Sequence, residues 1–249
     1  MKKTKHLKLF NRRKKLFLFL ILMPFLAFGQ ANKFTWDYPI KPGTDAWASL
    51  SSSQEMINVC QIPYDTLSNL PTARLAELCV NYPLLGDILL ANNYQEGFDK
   101  IVNIFNGFQE LFKRKDAGLA LLNIYEKFDL DSFQKNKGTE YKNVFFDMCM
   151  DVVMAQSVFL EKLNPEQEKH LMNESLNKLK TRKRIGDSFY RQKTTVVILS
   201  RLLTKNNFAF KEYDESGNDK FLLLNNYFVL EDESIIDKVK KQSEAFLKK

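Results

Sequence analysis

Apolar residues recur along most of this chain at the three- and four-residue spacing of a single helix face. Between residues 72 and 128 this spacing repeats in successive short segments, which are separated by Pro, Gly or polar residues. Ser52 and Glu55 form a capping box that opens an earlier helix, which we expect to extend to about Cys60. The pattern predicts a mainly α-helical protein whose first third consists of short elements.

The longest apolar segment lies at residues 139–163 and places apolar side chains on nearly all sides of a helix. Such a helix is typical of the centre of a fold. Asn164 and Pro165 supply an N-cap and a first-turn proline for the next helix, whose narrow apolar stripe predicts a surface helix packed on the central one. Residues 193–203 predict another apolar helix, although the β-branched run within them is also compatible with a strand.

After residue 205 the pattern changes to short apolar runs on either side of a polar segment. Residues 208–213 and 221–224 flank a polar loop, which favours a small β-hairpin near 208–224. A helix over 220–228 is the alternative. The last residues, 232–249, have an amphipathic helical pattern. Because no strict repeat or sustained heptad pattern occurs, the predicted fold is an irregular multi-helix array or bundle.

The first 29 residues have the layout of a secretory signal peptide. Eight Lys and Arg residues and no acid precede an apolar run at 16–28, and small residues at 27 and 29 precede a predicted cleavage after Gly29. A retained membrane anchor is the alternative, but the run is shorter than the roughly 18–20 residues of a spanning helix. We therefore predict a secreted or periplasmic protein that meets the membrane only through its cleaved signal peptide.

Removal of this segment changes the charge of the protein. The whole chain has a formal net charge of +7, with 37 Lys and Arg residues against 30 Asp and Glu residues. Eight of the basic residues leave with the signal peptide, so 29 remain and the net charge becomes −1. A basic surface for nucleic acid therefore loses its main support, and we predict no nucleic-acid partner.

Composition divides the rest of the chain into three parts. Residues 30–43 form a predicted extended arm, since two prolines oppose a helix there. Residues 44–205 form a predicted helical domain. Residues 206–249 contain the predicted hairpin and a C-terminal helix, which we expect to pack on the helical domain.

Three cysteines occur, at positions 60, 79 and 149. Export would place them where disulfides persist. Cys60 and Cys79 fall near the ends of consecutive predicted helices, so they could be neighbours. The sequence is compatible with a Cys60–Cys79 disulfide and, as the alternative, with two free buried thiols. Cys149 lies in an apolar run and is predicted to be buried.

Several kinds of catalytic and cofactor site are missing from the sequence. Outside the signal peptide the only histidine is His170, next to Lys169 in a polar helix, which favours a solvated position. There is no H-E-x-x-H motif, no C-x-x-C pair, no glycine-rich phosphate loop and no G-x-S-x-G motif. We therefore predict neither a metal site nor a cofactor.

One carboxylate pair is a weak catalytic candidate. Asp147 and Asp151 are four residues apart and share a helix face, so they have the residue types for acid–base or glycosidic chemistry. The favoured interpretation is that they belong to a polar line with Glu140 and Asn143, which forms a solvated or salt-bridged edge. Candidate partners for such salt bridges are Arg182, Arg184 and Arg191.

The N-terminal aromatic residues are the weak candidates for ligand binding. Trp36 and Trp47, with Phe34 and Tyr38 nearby, have the side chains that stack on sugars when exposed. Docking of these side chains onto the fold is the favoured interpretation, because large aromatic groups stabilise most when buried.

Residues 60–128 contain the segments CQIP at 60–63, LAELCVNYPLL at 75–85, NNYQEGF at 92–98 and FNG at 105–107. This part of the chain, about residues 45–130, resembles the helical N-terminal part of a loosely defined group of uncharacterised secreted bacterial proteins. Some members continue into a C-terminal module whose N-C-H-S-Y-A-W segment looks like a Cys/His hydrolase site. Nothing in this chain matches that segment, so the resemblance implies an exported helical domain without that enzyme.

These observations favour an exported, non-catalytic helical interaction protein whose partner is a protein in the cell envelope or outside the cell. Two alternatives stay open. One is a cell-wall or polysaccharide hydrolase that uses Asp147 and Asp151. The other is a glycan or small-ligand binder that uses Trp36 and Trp47.

Overall fold

Helices form the framework of this protein. A computed structural model describes residues 36–128, 140–184, 189–230 and 233–249, without the side chains of 140–145 and 189–190. The predicted signal peptide and residues 30–35 of the predicted arm lie outside the described residues. The first half of the chain contributes α1 (Asp45–Ala48), α2 (Ser53–Val59), α3 (Tyr64–Asn69), α4 (Thr72–Val80), a 3₁₀ helix (Leu85–Leu90), α5 (Tyr94–Ile104), α6 (Asn106–Leu111) and α7 (Ala117–Lys127).

The second half contributes fewer and longer helices. They are α8 (Glu140–Met154), α9 (Ser157–Leu160), α10 (Pro165–Arg184), α11 (Phe189–Lys205), α12 (Lys220–Tyr227) and α13 (Ser234–Leu247). The mainly α-helical, multi-helix array predicted from the sequence is confirmed. None of the helices within the described ranges is long and apolar enough to cross a membrane.

The caps predicted at two helix starts are present. Ser52 accepts a hydrogen bond from the backbone N–H of Glu55, whose carboxylate accepts one from the N–H of Ser51. At the start of α10, Asn164 and Gln167 exchange reciprocal hydrogen bonds between side chain and backbone. Both arrangements satisfy N–H groups that a helix N-terminus leaves without intrahelical partners.

Helix α8 lies at the centre, as its all-round apolar pattern predicts. It packs against α4, the 3₁₀ helix, α5 and α7 from the first half and against α11 from the second half. The predicted helix over 139–163 is interrupted, however, because Gln156 adopts an extended conformation between α8 and α9. Its side-chain N–H donates to the carbonyl of Val152 and so satisfies an acceptor in the last turn of α8.

Helix α11 is the second hub of the fold and packs against α8, α10, α12 and α13. Its β-branched run, which was also compatible with a strand, is helical and buried. The C-terminal helix α13 packs on α10 and α11. Residues 36–249 thus form one compact unit, to which the predicted helical domain and the C-terminal segment both belong.

The segment predicted as a hairpin takes the alternative, helical form in its second half. Its one β-type contact is an isolated antiparallel bridge between Tyr213 and Asp219, and no strand occurs in the ranges that the structure describes. Asp219 explains this outcome, because its carboxylate accepts hydrogen bonds from the N–H groups of Phe221 and Leu222 and so caps α12. Phe221 and Leu224 then enter the core from one helix face.

Candidate functional site

The two candidate carboxylates lie inside the fold, at the junction of three long helices. Asp147 and Asp151 project from α8, Arg182 from α10, and Arg191, Thr194 and Thr195 from α11. The exposed fraction is 2% for Asp147 and 0% for both Asp151 and Arg182. Glu140 and Asn143, the other members of the predicted polar line, have side chains outside the described residues.

Each of the two carboxylates is held by short polar contacts through its Oδ2 atom. The Oδ2 atom of Asp151 lies 2.9 Å from Nη2 of Arg182 and accepts hydrogen bonds from the hydroxyls of Thr194 and Thr195 at 2.7 and 2.8 Å. Oδ2 of Asp147 lies 2.6 Å from Nη1 of Arg182 and 3.3 Å from Nη2 of Arg191. Two of the three arginines considered as partners from the sequence, Arg182 and Arg191, are therefore partners.

The electrostatics of this cluster are dominated by burial. Burial raises the pKa of Asp151, an effect that the positive charge of Arg182 opposes and the negative charge of Asp147 reinforces. Burial also lowers the pKa of Lys178, whose ammonium donates to the carbonyl of Phe128 and lies 4.7 Å from the ring centroid of Tyr125. In this cluster, Oδ2 of each carboxylate contacts at least one arginine.

This arrangement is suited to holding helices together and not to bond cleavage. A catalytic acid or base must reach the proton it transfers, at about 2.6–3.2 Å or through one water. Both carboxylates lie below the surface, and the contacts that they make connect α8 to α10 and α11. Oδ1 of Asp151 is also buried, with no hydrogen-bond partner among the described residues.

The N-terminal tryptophans pack against the fold. Both Trp36 and Trp47 are half-buried against the core, and the ring of Trp36 meets that of Tyr38 edge to face at a centroid distance of 4.9 Å. The Tyr38 hydroxyl donates to the carbonyl of Leu78 at 2.7 Å, and Arg74 donates to the carbonyl of Trp36 at 2.8 Å. These contacts fix Trp36 and Tyr38 on α4.

All three cysteines are buried free thiols, Cys60 and Cys79 included. Burial raises the pKa of Cys60 to about 11 and that of Cys149 to about 12. A thiol with such a pKa is almost entirely protonated near neutral pH, and the thiolate is the nucleophilic form. His170 lies elsewhere, half-exposed, with Nε2 2.8 Å from a carboxylate oxygen of Glu126. No Cys–His nucleophile pair is formed by these residues.

A polar recess that the sequence reasoning missed lies between α5, α9 and α12. It encloses about 440 Å³ and is built around Arg201 of α11, whose exposed fraction is 8%. The side chains that line it include amides, a carboxylate and a hydroxyl, together with aromatic rings: Gln95, Asp99, Gln156, Ser157, Asn225, Asn226, Phe98, Phe112 and Tyr227. The signal in the sequence was a lone arginine within the apolar segment 193–203.

Arg201 holds the walls of this recess in place. Its Nε donates to the carbonyl of Asn225 at 2.8 Å, its Nη1 to the carbonyl of Ala155 at 2.9 Å and its Nη2 to Oε1 of Gln95 at 2.8 Å. Its guanidinium carbon lies 4.9 Å from the centroid of the Phe228 ring. Burial lowers the pKa of Arg201 to about 10, which leaves the side chain charged at neutral pH.

A metal site is not indicated by the geometry: the described residues contain no group of three or more His, Cys, Asp or Glu side chains arranged to hold an ion. Comparisons of this chain with models of protein families, with curated proteins and with solved structures found no match. The function therefore has to be argued from the residues and their geometry.

Proposed function

We propose that residues 1–29 direct export and that the remaining protein is a non-catalytic helical interaction protein of the periplasm or the cell exterior. The observation that carries the proposal is the position of Asp147 and Asp151, whose carboxylates are buried and contact the buried Arg182, with hydroxyls also donating to Asp151. The charge of the exported part and the resemblance of residues 45–130 to secreted bacterial proteins also support it. The hydrolase alternative loses its candidate residues to a structural role.

The partner that we propose is a component of the cell envelope or of the medium, in the first place a protein. Four of the seven large apolar side chains exposed among the described residues fall in the segment 213–229, so we propose this segment as the contact with the partner. They are Tyr213, Leu222, Tyr227 and Val229.

A site-specific photocrosslinker tests the proposal. The crosslinking residue is placed at Leu222 in a tagged full-length chain, with Asn173, an exposed position on α10, as the matched control. After illumination of living cells, we expect one reproducible adduct with an envelope or extracellular protein at Leu222 and none at Asn173. The secreted form should begin at Gln30. Retention of the whole chain in the cytoplasm, or adducts no different from the control, would contradict the proposal.

Enzymatic activity is tested separately on the purified protein. We expect no release of reducing ends from peptidoglycan or neutral polysaccharides above the buffer control. If hydrolysis occurs and is lost in the folded double variant Asp147→Asn/Asp151→Asn, the non-catalytic proposal is wrong.

A further inference from the structure

The recess around Arg201 has the chemistry of a ligand site. We infer that it binds a neutral, hydroxyl-rich ligand, namely one sugar residue of an envelope or extracellular glycan. This inference rests on the proposed function, since it assigns a ligand class to a protein that binds without transforming its ligand. It places glycan binding on α5, α9 and α12 instead of on Trp36 and Trp47.

The first support is that the polar walls are preorganised. The amide of Gln95 accepts from Arg201 and donates both of its N–H groups, to Oδ1 of Asp99 at 2.9 Å and to Oε1 of Gln156 at 3.0 Å. Gln156 in turn donates to the carbonyl of Val152 at 2.8 Å. A chain of hydrogen bonds thus runs from the buried guanidinium through Gln95 to Asp99 at the rim and to the buried Gln156, and ligand binding does not have to order it.

The second support is that donors and acceptors remain open along this chain. The side-chain N–H₂ group of Asn226, the hydroxyl of Ser157 and Oδ2 of Asp99 line the recess and have no hydrogen-bond partner among the described residues. A sugar hydroxyl both donates and accepts, so a wall that presents open donors beside open acceptors is complementary to it. An apolar ligand would leave these groups without partners.

The third support is the apolar surface beside the polar groups. The partly buried Phe112 and Tyr227, which is 48% exposed, contribute rings to the lining, while Phe98 lies beneath them at 1% exposure. Sugars present C–H groups on one face and hydroxyls around the edge, so they need a ring next to hydrogen-bonding groups. The volume of about 440 Å³ also lies within the roughly 300–1,000 Å³ typical of small-ligand sites.

The charges around the recess favour a neutral ligand over an anion. Each of the three guanidinium nitrogens of Arg201 donates to a protein oxygen, and the side chain is only 8% exposed, so most of its hydrogen-bonding capacity is directed at the protein and not at a ligand. Asp99, exposed at the rim, adds a negative charge that repels an anion. Arg201 therefore acts as a positioning residue for the amides. The contacts with the ligand are made by the open groups around Arg201.

Saturation-transfer NMR of the purified protein tests the inference with defined probes. These are the methyl glycosides of glucose, galactose, mannose and N-acetylglucosamine and their β-linked disaccharides, with glucuronic acid and glucose 6-phosphate as acidic counterparts. We expect saturation transfer to at least one neutral probe. Binding should weaken at least tenfold in Asn226→Ala and in Tyr227→Ala. These side chains are exposed, so the variants should fold like the original protein.

Matched controls on other surfaces are Asn173→Ala and Tyr64→Ala, which should bind as the original protein does. The inference is overturned if no neutral probe receives saturation, if only the acidic probes do, or if the recess variants bind unchanged. Capture of a protein partner without any glycan signal would overturn it and leave the proposed function standing. Hydrolysis of a probe that depends on the recess would support the site and refute the non-catalytic function.

Discussion

Arg182 of α10 lies with its Nη1 atom 2.6 Å from Oδ2 of Asp147, on α8, and this contact is buried. The same guanidinium reaches Asp151 one helical turn further along, so a single side chain contacts both carboxylates. Arg182 is therefore the residue on which the junction of the two helices depends most directly.

Replacement of Arg182 should be among the most damaging single changes in the protein. In Arg182→Met the two carboxylates lose a shared counter-ion inside the core, and breaking a buried ion pair in this way costs about 3–5 kcal/mol. We expect a loss of that size in the free energy of unfolding, measured by urea denaturation. Lys183→Met, an exposed change on the same helix, should alter it by less than about 0.5 kcal/mol. A loss for Arg182→Met no larger than that of the control would refute the structural role.

The stability deficit of Arg182→Met should depend on pH. Burial raises the pKa of Asp151 above that of the unfolded chain, so its contribution to stability is full at low pH and is lost as the pH rises through the folded pKa. Arg182 opposes this shift, and its removal raises the folded pKa further. The variant should therefore differ most from the original protein at neutral and alkaline pH and least as the pH falls towards that of an ordinary carboxyl group.

The matched control for this pH dependence is Arg201→Met. Arg201 is also buried, but its hydrogen-bond partners are two carbonyl groups and an amide. Its replacement should destabilise the protein to a nearly constant extent from acidic pH to about pH 9, since Arg201, whose pKa burial lowers to about 10, stays charged over that range. Parallel pH curves for the two variants in urea denaturation would show that Asp151 does not titrate as proposed.

The state of the cysteines gives a third test. Since Cys60, Cys79 and Cys149 are buried thiols whose pKa values burial raises, the folded protein should react slowly with iodoacetamide at neutral pH. After unfolding without reductant, mass spectrometry should find three alkyl groups on each chain. A single alkyl group would mean that two of the cysteines are joined and that the free thiols are wrong for the mature protein; peptide mapping would then show whether the pair is Cys60 and Cys79.

Close packing of α5 on the 3₁₀ helix gives a fourth test. A Cβ atom at Gly97 would lie 2.2 Å from the carbonyl oxygen of Ile88, a backbone atom that no side-chain rotation can move away. Gly97→Ala should therefore lower the unfolding free energy by about 1–3 kcal/mol or more. At Gly86 a Cβ atom meets nothing within 4 Å, so Gly86→Ala should be neutral or slightly stabilising. Equal midpoints of thermal unfolding for the two variants would contradict this packing.

The helical class of the fold followed from the sequence because apolar spacing, caps and prolines are local signals, as at Ser52 and Asn164. The exceptions arose where one side chain decided between two local structures. Asp219 caps a helix where the apolar pattern favoured a strand, and Gln156 ends α8 within a continuous apolar run. Neither choice can be made from apolar spacing alone, since each depends on hydrogen bonds to specific backbone groups.

The site was predicted only in part, for a different reason. Helical spacing places Asp147 and Asp151 on one face, but it does not tell whether that face meets solvent or another helix. Arg182 belongs to a basic run at the end of α10. Basic residues are common there because they interact favourably with the helix dipole, so the run gave no sign that Arg182 forms a buried ion pair. Arg201 donates a hydrogen bond to Gln95, which is more than a hundred residues away in the sequence. The spacing of apolar residues within a helix does not predict such long-range contacts.

The contacts between Arg182 and the two aspartates also bear on how the central helix finds its register. Helix α8 carries apolar side chains on most sides, so its apolar pattern by itself distinguishes poorly between a correct position and a slide of one turn, roughly 5.4 Å. A slide in one direction would bring Ala155 opposite the hydroxyls of Thr194 and Thr195, which now hold Asp151. A slide in the other direction would bring Asp147 there and remove it from Arg191. Buried polar groups would then lose their partners, so this junction makes one alignment of α8 much more favourable than its neighbours.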